Sequence, residues 1–287
     1  MNYPSPRQWL LLDAICRYHS LSEAAQQLAL SQPAASQALK ELEQRLGATL
    51  FLRQNRQLVP TQYTLDLLPR LRQLLDLQAS IVQPQSDSGE LRLVASETIG
   101  CYLLPPLMAK FRQQYTGVEI RLQICNSSEV QNQLRLQHAQ LGFIEGPVLS
   151  STFQPQYWRK DRLVLVAAAD HGLPDDASQL QQQTWIVRER GSGTRAVLEH
   201  ELARCGWSPA KIMELQRPEA IKQAVRHGLG IGCLPLLAVQ DELSQGVLLQ
   251  LPSPLKLERQ LSLLQHQHYQ APLVQQFIRF LQQADVA

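Results

Sequence analysis

The chain is 287 residues long, enough for two or three separately cored domains. Its 44% hydrophobic content is that of a globular protein, and no apolar run approaches a membrane span. The net charge of +2 excludes a uniformly basic chain, yet the excess is local: eight cations face six anions through Val82, and the rest is balanced.

Pro6 to Tyr18 reads as a first helix, with Trp9, Leu10, Leu12, Ala14 and Ile15 as a broad apolar face and His19-Ser20 closing it. His19 reads as a solvated or capping side chain. The stretch Ser20 to Glu43 reads as two helices joined by a tight turn. Ser20 or Ser22 caps the first, and Ala24, Ala25 and Leu28 form its small apolar face. Leu30 is expected to be buried in the turn. Ser31 caps the second helix, with Pro33 in the first turn, where a missing N–H costs nothing. Ala35, Leu39, Leu42 and Leu46 mark its inner face. Gln32, Ser36, Gln37 and Lys40 lie opposite: short hydrogen-bonding side chains and a cation, suited to base edges and phosphates in a major groove. A plain helical hairpin with a wet polar face is the alternative.

Gly47 stops that helix. Thr49 to Leu52 and Gln57 to Val59 then flank Arg53-Gln54-Asn55-Arg56, two short strands around a polar tip that read as a wing suited to phosphate or minor-groove contact, with a solubilising hairpin as the alternative. Thr61 caps a long helix. Two leucine stripes (Leu68, Leu71, Leu75, Val82 and Leu67, Leu71, Leu74, Ile81) exceed what one small domain covers, so a two-helix dimer seam is expected, with burial against its own domain as the alternative. Pro69 is expected to bend this helix.

Pro84 to Gly89 reads as a linker. Strands and helices then alternate: strand Leu91 to Ala95, helix Pro105 to Tyr115, strand Val118 to Ile124, helix Ser128 to Gln137, strand Leu141 to Ile144. Strands Leu163 to Ala168 and Trp185 to Val187 follow, then helices Ala196 to Cys205 and Glu219 to Arg226, strand Ile231 to Leu234, a return strand Leu257 to Leu264 and a helix Val274 to Leu281. This pattern predicts an α/β domain with a largely parallel sheet.

In such sheets ligands bind beyond the carboxyl ends of strands. Four loops qualify: Ser96-Glu97-Thr98, Asn126-Ser127, Glu145-Gly146 and Gly191-Ser192-Gly193-Thr194-Arg195. The last opens a helix, whose free N–H groups, two hydroxyls and Arg195 suit a small anion or carboxylate, with a plain flexible turn of the same composition as the alternative. No metal-ligand spacing, phosphate-binding Gly-x4-Gly-Lys-Ser/Thr motif, nucleophile elbow or cofactor motif is found, so no catalytic residue, metal or cofactor is assigned. His138, His171, His200, His227, His266 and His268 are dispersed, and Asp175-Asp176 reads as a solvated pair. The five cysteines, Cys16, Cys101, Cys125, Cys205 and Cys233, are too scattered for a disulfide framework or zinc site and read as small buried hydrophobes. With no basic-then-apolar segment at the start, the expected location is the cytoplasm, with no membrane partner.

Ser22 to Leu28, Ser31-Gln32-Pro33-Ala34-Ala35-Ser36, Leu42-Glu43, Leu46-Gly47 and Leu50-Phe51 closely resemble the N-terminal pattern of the LysR-type transcriptional regulators. Ala95 to Gly100, Leu104-Pro105, Arg188-Glu189, Gly191 to Arg195 and Gly228 to Ile231 are similar to the effector-binding domain of a subgroup that regulates sulfur and inorganic carbon metabolism. The resemblance implies an α/β protein overall: an all-α winged helix-turn-helix at 1–61, a linker and dimerisation helix with hinge at 62–89, and a two-subdomain, periplasmic-binding-protein-like effector domain at 90–287. Subdomain I would span about 90–157 and 266–287 and subdomain II about 158–265, with crossovers near Tyr157 and Gln265. It implies that Gln32, Pro33, Ser36, Gln37 and Lys40 face DNA, with Arg53 and Arg56 on the wing. It implies that Ser96, Thr98, Asn126, Glu145, Ser192 and Thr194 line the effector cleft. The implied partners are double-stranded promoter DNA, a small anionic effector, and copies of the chain as a dimer through the linker helix and a tetramer. Three departures stand out. Gln37 replaces a common Arg, Thr61 to Thr64 lacks the usual glycine, and Gln140 replaces a common Asp. The rival readings are a solute-binding module and an enzyme on the same two-lobed fold.

Overall fold

The structure is a computed structural model describing residues 3–54, 57–82, 88–148, 151–170, 177–266 and 271–284. Helix α1 (Pro6–Tyr18) begins with a capping box: the Ser5 hydroxyl accepts from Gln8 N–H, and Ser5 N–H donates to the Gln8 side chain. Helix α2 (Leu21–Gln27) is capped by Ser20 rather than Ser22, since the Ser20 hydroxyl accepts from Glu23 N–H. Helix α3 (Gln32–Leu46) starts on Ser31, carries Pro33 in its first turn and ends at Gly47, which takes the left-handed conformation (φ 65°). Strands β1 (Phe51–Gln54) and β2 (Gln57–Pro60) pair antiparallel as the wing. The long helix α4 (Gln62–Val82) continues through Pro69.

One core serves all of these elements: Leu11, Leu12, Ile15, Ala24, Ala35, Leu42, Leu50, Leu68 and Leu71 are buried together. Two expectations change here. Leu10 turns outward, 43% exposed, because the inner arc of α1 is filled by Leu11, Leu12 and Ile15. Leu30 is only half-buried, packing on the rim of that core.

Beyond the linker run β3 (Ser88–Ser96), a π-helical turn (Ile99–Leu103), α5 (Leu104–Gln114), β4 (Gly117–Cys125), α6 (Ser127–Arg135), β5 (Leu141–Glu145) and β6 (Phe153–Ala168). They are followed by α7 (Ala177–Gln182), β7 (Thr184–Arg188), α8 (Gly193–Cys205), β8 (Lys211–Leu215), α9 (Pro218–Arg226) and β9 (Ile231–Pro235). Then come α10 (Leu236–Ser244), β10 (Leu248–Gln250), β11 (Glu258–His266) and α11 (Pro272–Ala284). The sheet order is β4-β3-β5-β11-β6-β9-β7-β8, with β10 also on β6. The expected largely parallel sheet is in fact mixed. The flanks β4-β3-β5 and β8-β7-β9 are parallel, whereas β6 and β11 pair antiparallel with each other and with the strands beside them. The reason is topological. These two strands carry the chain from one half-sheet to the other and back, so each runs against its neighbours.

The apolar residues divide accordingly. Leu91, Leu93, Phe111, Phe143 and Phe277 belong to one core, with the Phe111 and Phe277 rings 4.9 Å apart edge to face. Leu163, Leu165, Trp185, Leu198 and Ile231 belong to another. The first lobe is thus built on β3–β5, α5, α6 and α11, and the second on β7–β10 and α7–α10. The shared ribbon of β6 and β11 joins them.

The candidate DNA-reading face and the cleft between the lobes

Gln32, Pro33, Ser36, Gln37 and Lys40 are all exposed on α3, while Ala35 and Leu42 on its opposite side are fully buried. Gln37 donates from its side-chain amide to Glu41 at 2.9 Å, so its amide is held along the helix where the resemblance expects an arginine. Arg53 is exposed at the end of β1, and Arg56 lies outside the described residues, as do His171, His268 and Asp175-Asp176. The hydroxyls of Thr61 and Thr64 donate to the carbonyls of Thr49 (2.9 Å) and Leu50 (2.7 Å), tying the start of α4 to the wing in place of the missing glycine. Gln140 exchanges backbone and side-chain bonds with the Arg92 main chain, a local structural role.

The six cleft residues separate into two groups. Ser96, Thr98, Glu145 and Thr194 form one buried network. Ser96 and Thr98 hydroxyls donate to the Glu145 carboxylate, the latter at 3.4 Å. Arg259, which the sequence reading missed, sits at the centre with its side chain 1% exposed. Its guanidinium donates to Thr98 of the first lobe (2.9 Å) and Thr194 of the second (2.8 Å). It pairs with Asp161 at 2.6 Å and lies 3.6 Å from Glu145. One cation and two carboxylates, all hydrogen-bonded, therefore fill the middle of the cleft. Gly193 makes this closure possible. A Cβ there would lie 1.8 Å from the Glu145 carbonyl oxygen, so only glycine lets the two lobes approach this closely.

Asn126 and Ser192 lie at the mouth. The Asn126 side chain caps α6 by accepting from Glu129 N–H and donates across the cleft to Glu189 at 3.2 Å. Ser192 precedes α8 without capping it, and its buried hydroxyl has no hydrogen-bond partner among the described residues. That residue borders a cavity of about 270 Å³ with Ser127, Ser128, Gly191, Arg190 and Arg195 among its walls. Gly193, the first residue of the 13-residue helix α8, is also a wall, which brings a helix N-terminus to the cavity, and Glu199 lines it as well. Arg195 is already committed to Glu199, Glu214 and the Arg188 carbonyl. A larger cavity of about 750 Å³ lies beside the ribbon between Leu103 and Leu237, and none of the six predicted cleft residues lines it.

The lobes are also bridged by an Arg217–Glu97 ion pair. Cys101 hangs beside that pair and is exposed, contrary to the expectation for it, because Ile99 and Gly100 occupy the buried side of the π-helical turn and Cys101 falls on its outer side. Burial and the neighbouring Glu97 push its thiol up. Burial, reinforced by Glu129 and Glu97, pushes Cys125 up to about 12. Among the described residues no His, Cys, Asp and Glu side chains gather as a metal site, and no helix is long and apolar enough to cross a membrane.

Residues 6–64 match the family described as bacterial regulatory helix-turn-helix protein, lysR family, and residues 84–285 match the LysR substrate binding domain. The HTH-type transcriptional regulator YeiE of Escherichia coli K12 is 38% identical over 286 residues, 98% of this chain and 97% of its own length. A full-length OxyR variant from Pseudomonas aeruginosa superposes with a TM-score of 0.77 at 19% identity, over 98% of this chain and 97% of that one. The regulatory domain of CcmR from Synechocystis PCC6803, solved in complex with 2-PG, is 26% identical with a TM-score of 0.63, over 69% of this chain and 97% of that one. With a helix-turn-helix match followed by a substrate-binding-domain match, the chain belongs to the LysR family of transcriptional regulators.

Proposed function

We propose that the chain reads promoter DNA with the outer face of α3 and is switched by a small anionic effector at the cleft mouth, beside Ser192. The observation that carries this reading is the exposed set Gln32, Pro33, Ser36, Gln37 and Lys40 on a helix whose other side is buried. Arg53 and Arg56 supply phosphate or minor-groove contacts from the wing. Asn126 and Ser192 contact the effector first. Ser96, Thr98, Glu145 and Thr194 respond to it through Arg259. CcmR in complex with 2-PG supports a small ligand in a domain of this kind. The functional units are 1–61, 62–89 and 90–287, the protein works in the cytoplasm, and it is a regulator rather than an enzyme.

Leu74 and Leu77 on α4, 48% and 58% exposed, support a dimer seam along that helix, which places two α3 helices in successive major grooves. Pairs of dimers would form the tetramer. A thermal-shift screen with sulfate, phosphate and short carboxylates, followed by hydroxyl-radical footprinting of the DNA beside its own gene, tests the reading. A ligand that raises Tm by mass action should lose that effect in Ser192→Ala and should change the protected DNA segment. A footprint indifferent to every stabilising anion would refute effector switching.

A further inference from the structure

The winged domain does not merely hang from α4. It rests on the first lobe of its own chain. Arg72 of α4, 4% exposed, pairs with Asp13 of α1 at 2.6 Å and also donates to the main-chain carbonyl of Gln137. Gln137 follows α6 with a left-handed backbone (φ 59°) that turns this carbonyl out of the helix. Beside it, the His19 ring at the end of α1 meets His138 edge to face, with centroids 5.7 Å apart. Arg17 also reaches Asp13, at 2.8 Å.

The other end of α6 lies in the cleft. Asn126 bonds Glu189, Ser128 N–H donates to the Gly191 carbonyl at 3.0 Å, and the Ser127 hydroxyl donates to the Glu145 carbonyl at 2.9 Å. Glu189 and Gly191 belong to the second lobe. Between its ends the helix has little freedom. Val130 and Leu134 are buried on β5, where a Cβ on Gly142 would lie 2.4 Å from Leu134 Cδ1. A rigid nine-residue rod, continued by the turn at Leu136 to His138, therefore spans from the effector cleft to the docking point of the DNA-binding domain.

We propose that Arg72 is the positioning residue through which α6 transmits opening and closing of the cleft to the winged domain. This rests on the regulator reading above. Arg72 holds α1 and the end of α6 with one guanidinium, so a shift of α6 against the second lobe moves Asp13 and α1 with it. Coupling of this kind requires an element with two arrangements that both sites bias, and here that element is the lobe pair closed at Gly193.

The test needs no known ligand. Gly193→Ala places a methyl against the Glu145 carbonyl and wedges the cleft open. Amide hydrogen exchange of the full-length protein then reads segments 130–140 and 10–20. With Arg72 present, Gly193→Ala should raise exchange in both segments, by at least about fivefold in 10–20. In an Arg72→Lys background, which keeps the charge beside Asp13 but lacks the forked donor, only 130–140 should respond. Asp13→Asn, nearly isosteric, is a second background with the same expected outcome should Arg72→Lys fold poorly. An equal response of 10–20 in all backgrounds, or none in any, overturns the proposal. Gel shifts on the same samples keep the two claims apart. A wild type that ignores DNA refutes the regulator reading, whereas intact DNA binding with a 10–20 response that is equal in all backgrounds, or absent from all of them, refutes only the role of Arg72.

Discussion

Lys40 and Ser36 stand on the one side of α3 that its own domain leaves bare. Replacing Lys40 by Ala should weaken binding to all duplexes alike and lower the slope of log affinity against log salt by about 0.9, the loss of one phosphate contact, as measured by filter binding across a salt series. Removing Arg72 strands a buried Asp13. Chemical denaturation of Arg72→Ala should show a loss of about 3–5 kcal/mol, whereas breaking the solvent-exposed Arg121–Glu119 pair should leave the midpoint nearly unchanged. The α3 face was legible in the sequence because capping, apolar spacing and polar spacing all lie within a few residues of one another. Arg72 and Arg259 were missed because their partners are 59 and 98 residues away, and nothing local announces such a pair. Arg259 did leave one sign. It shares strand parity with Leu257, Leu261 and Leu263, all buried, so an arginine on the inward side of β11 was readable as a buried charge awaiting a partner.

At the scale of elements, α4 has two different leucine surfaces. Leu68 and Leu71 belong to the winged-domain core, and Leu74 and Leu77 do not. A Leu74→Asp/Leu77→Asp chain should therefore sediment as a smaller species at a little-changed Tm, whereas Leu68→Ala should cost about 2–5 kcal/mol with its oligomeric state intact. Unchanged sedimentation of the double variant would exclude this helix as the seam. The elements that escaped the sequence reading each lack a local signal. Helix α10 follows β9 with Pro235 as its cap, so Ile231 to Val239 reads as one apolar run. The first half of β6 is rich in polar and charged residues because it forms the ribbon between lobes, so no apolar alternation marks it as a strand. Strand β10 has only three residues, and α7 only six.

For the whole molecule, the junction between winged domain and first lobe gives residues 10–20 a pH response of their own. Burial raises the Asp13 carboxyl, but the charges of Arg72 and Arg17 and the Arg72 hydrogen bond outweigh it and leave it below the ordinary value. Burial, helped by His19, Arg72 and Arg92 and opposed only by Glu129, holds His138 below the usual 6.5. Both groups bind protons less readily when folded. The stability they contribute is present above their ordinary values and is lost as pH falls through the folded ones. Hydrogen exchange in residues 10–20 should thus rise as pH falls below about 6.5, after correction for the intrinsic rate. Arg72→Lys should flatten that rise.

The regulator reading as a whole presupposes that α3 enters DNA. Salt-dependent gel shift on the DNA beside the chain's own gene, comparing wild type with Ser36→Ala/Lys40→Ala, tests this most directly. The account predicts folded variant protein with at least about tenfold weaker binding and a shallower salt dependence. Equal affinity and equal salt slope for the two proteins would contradict it.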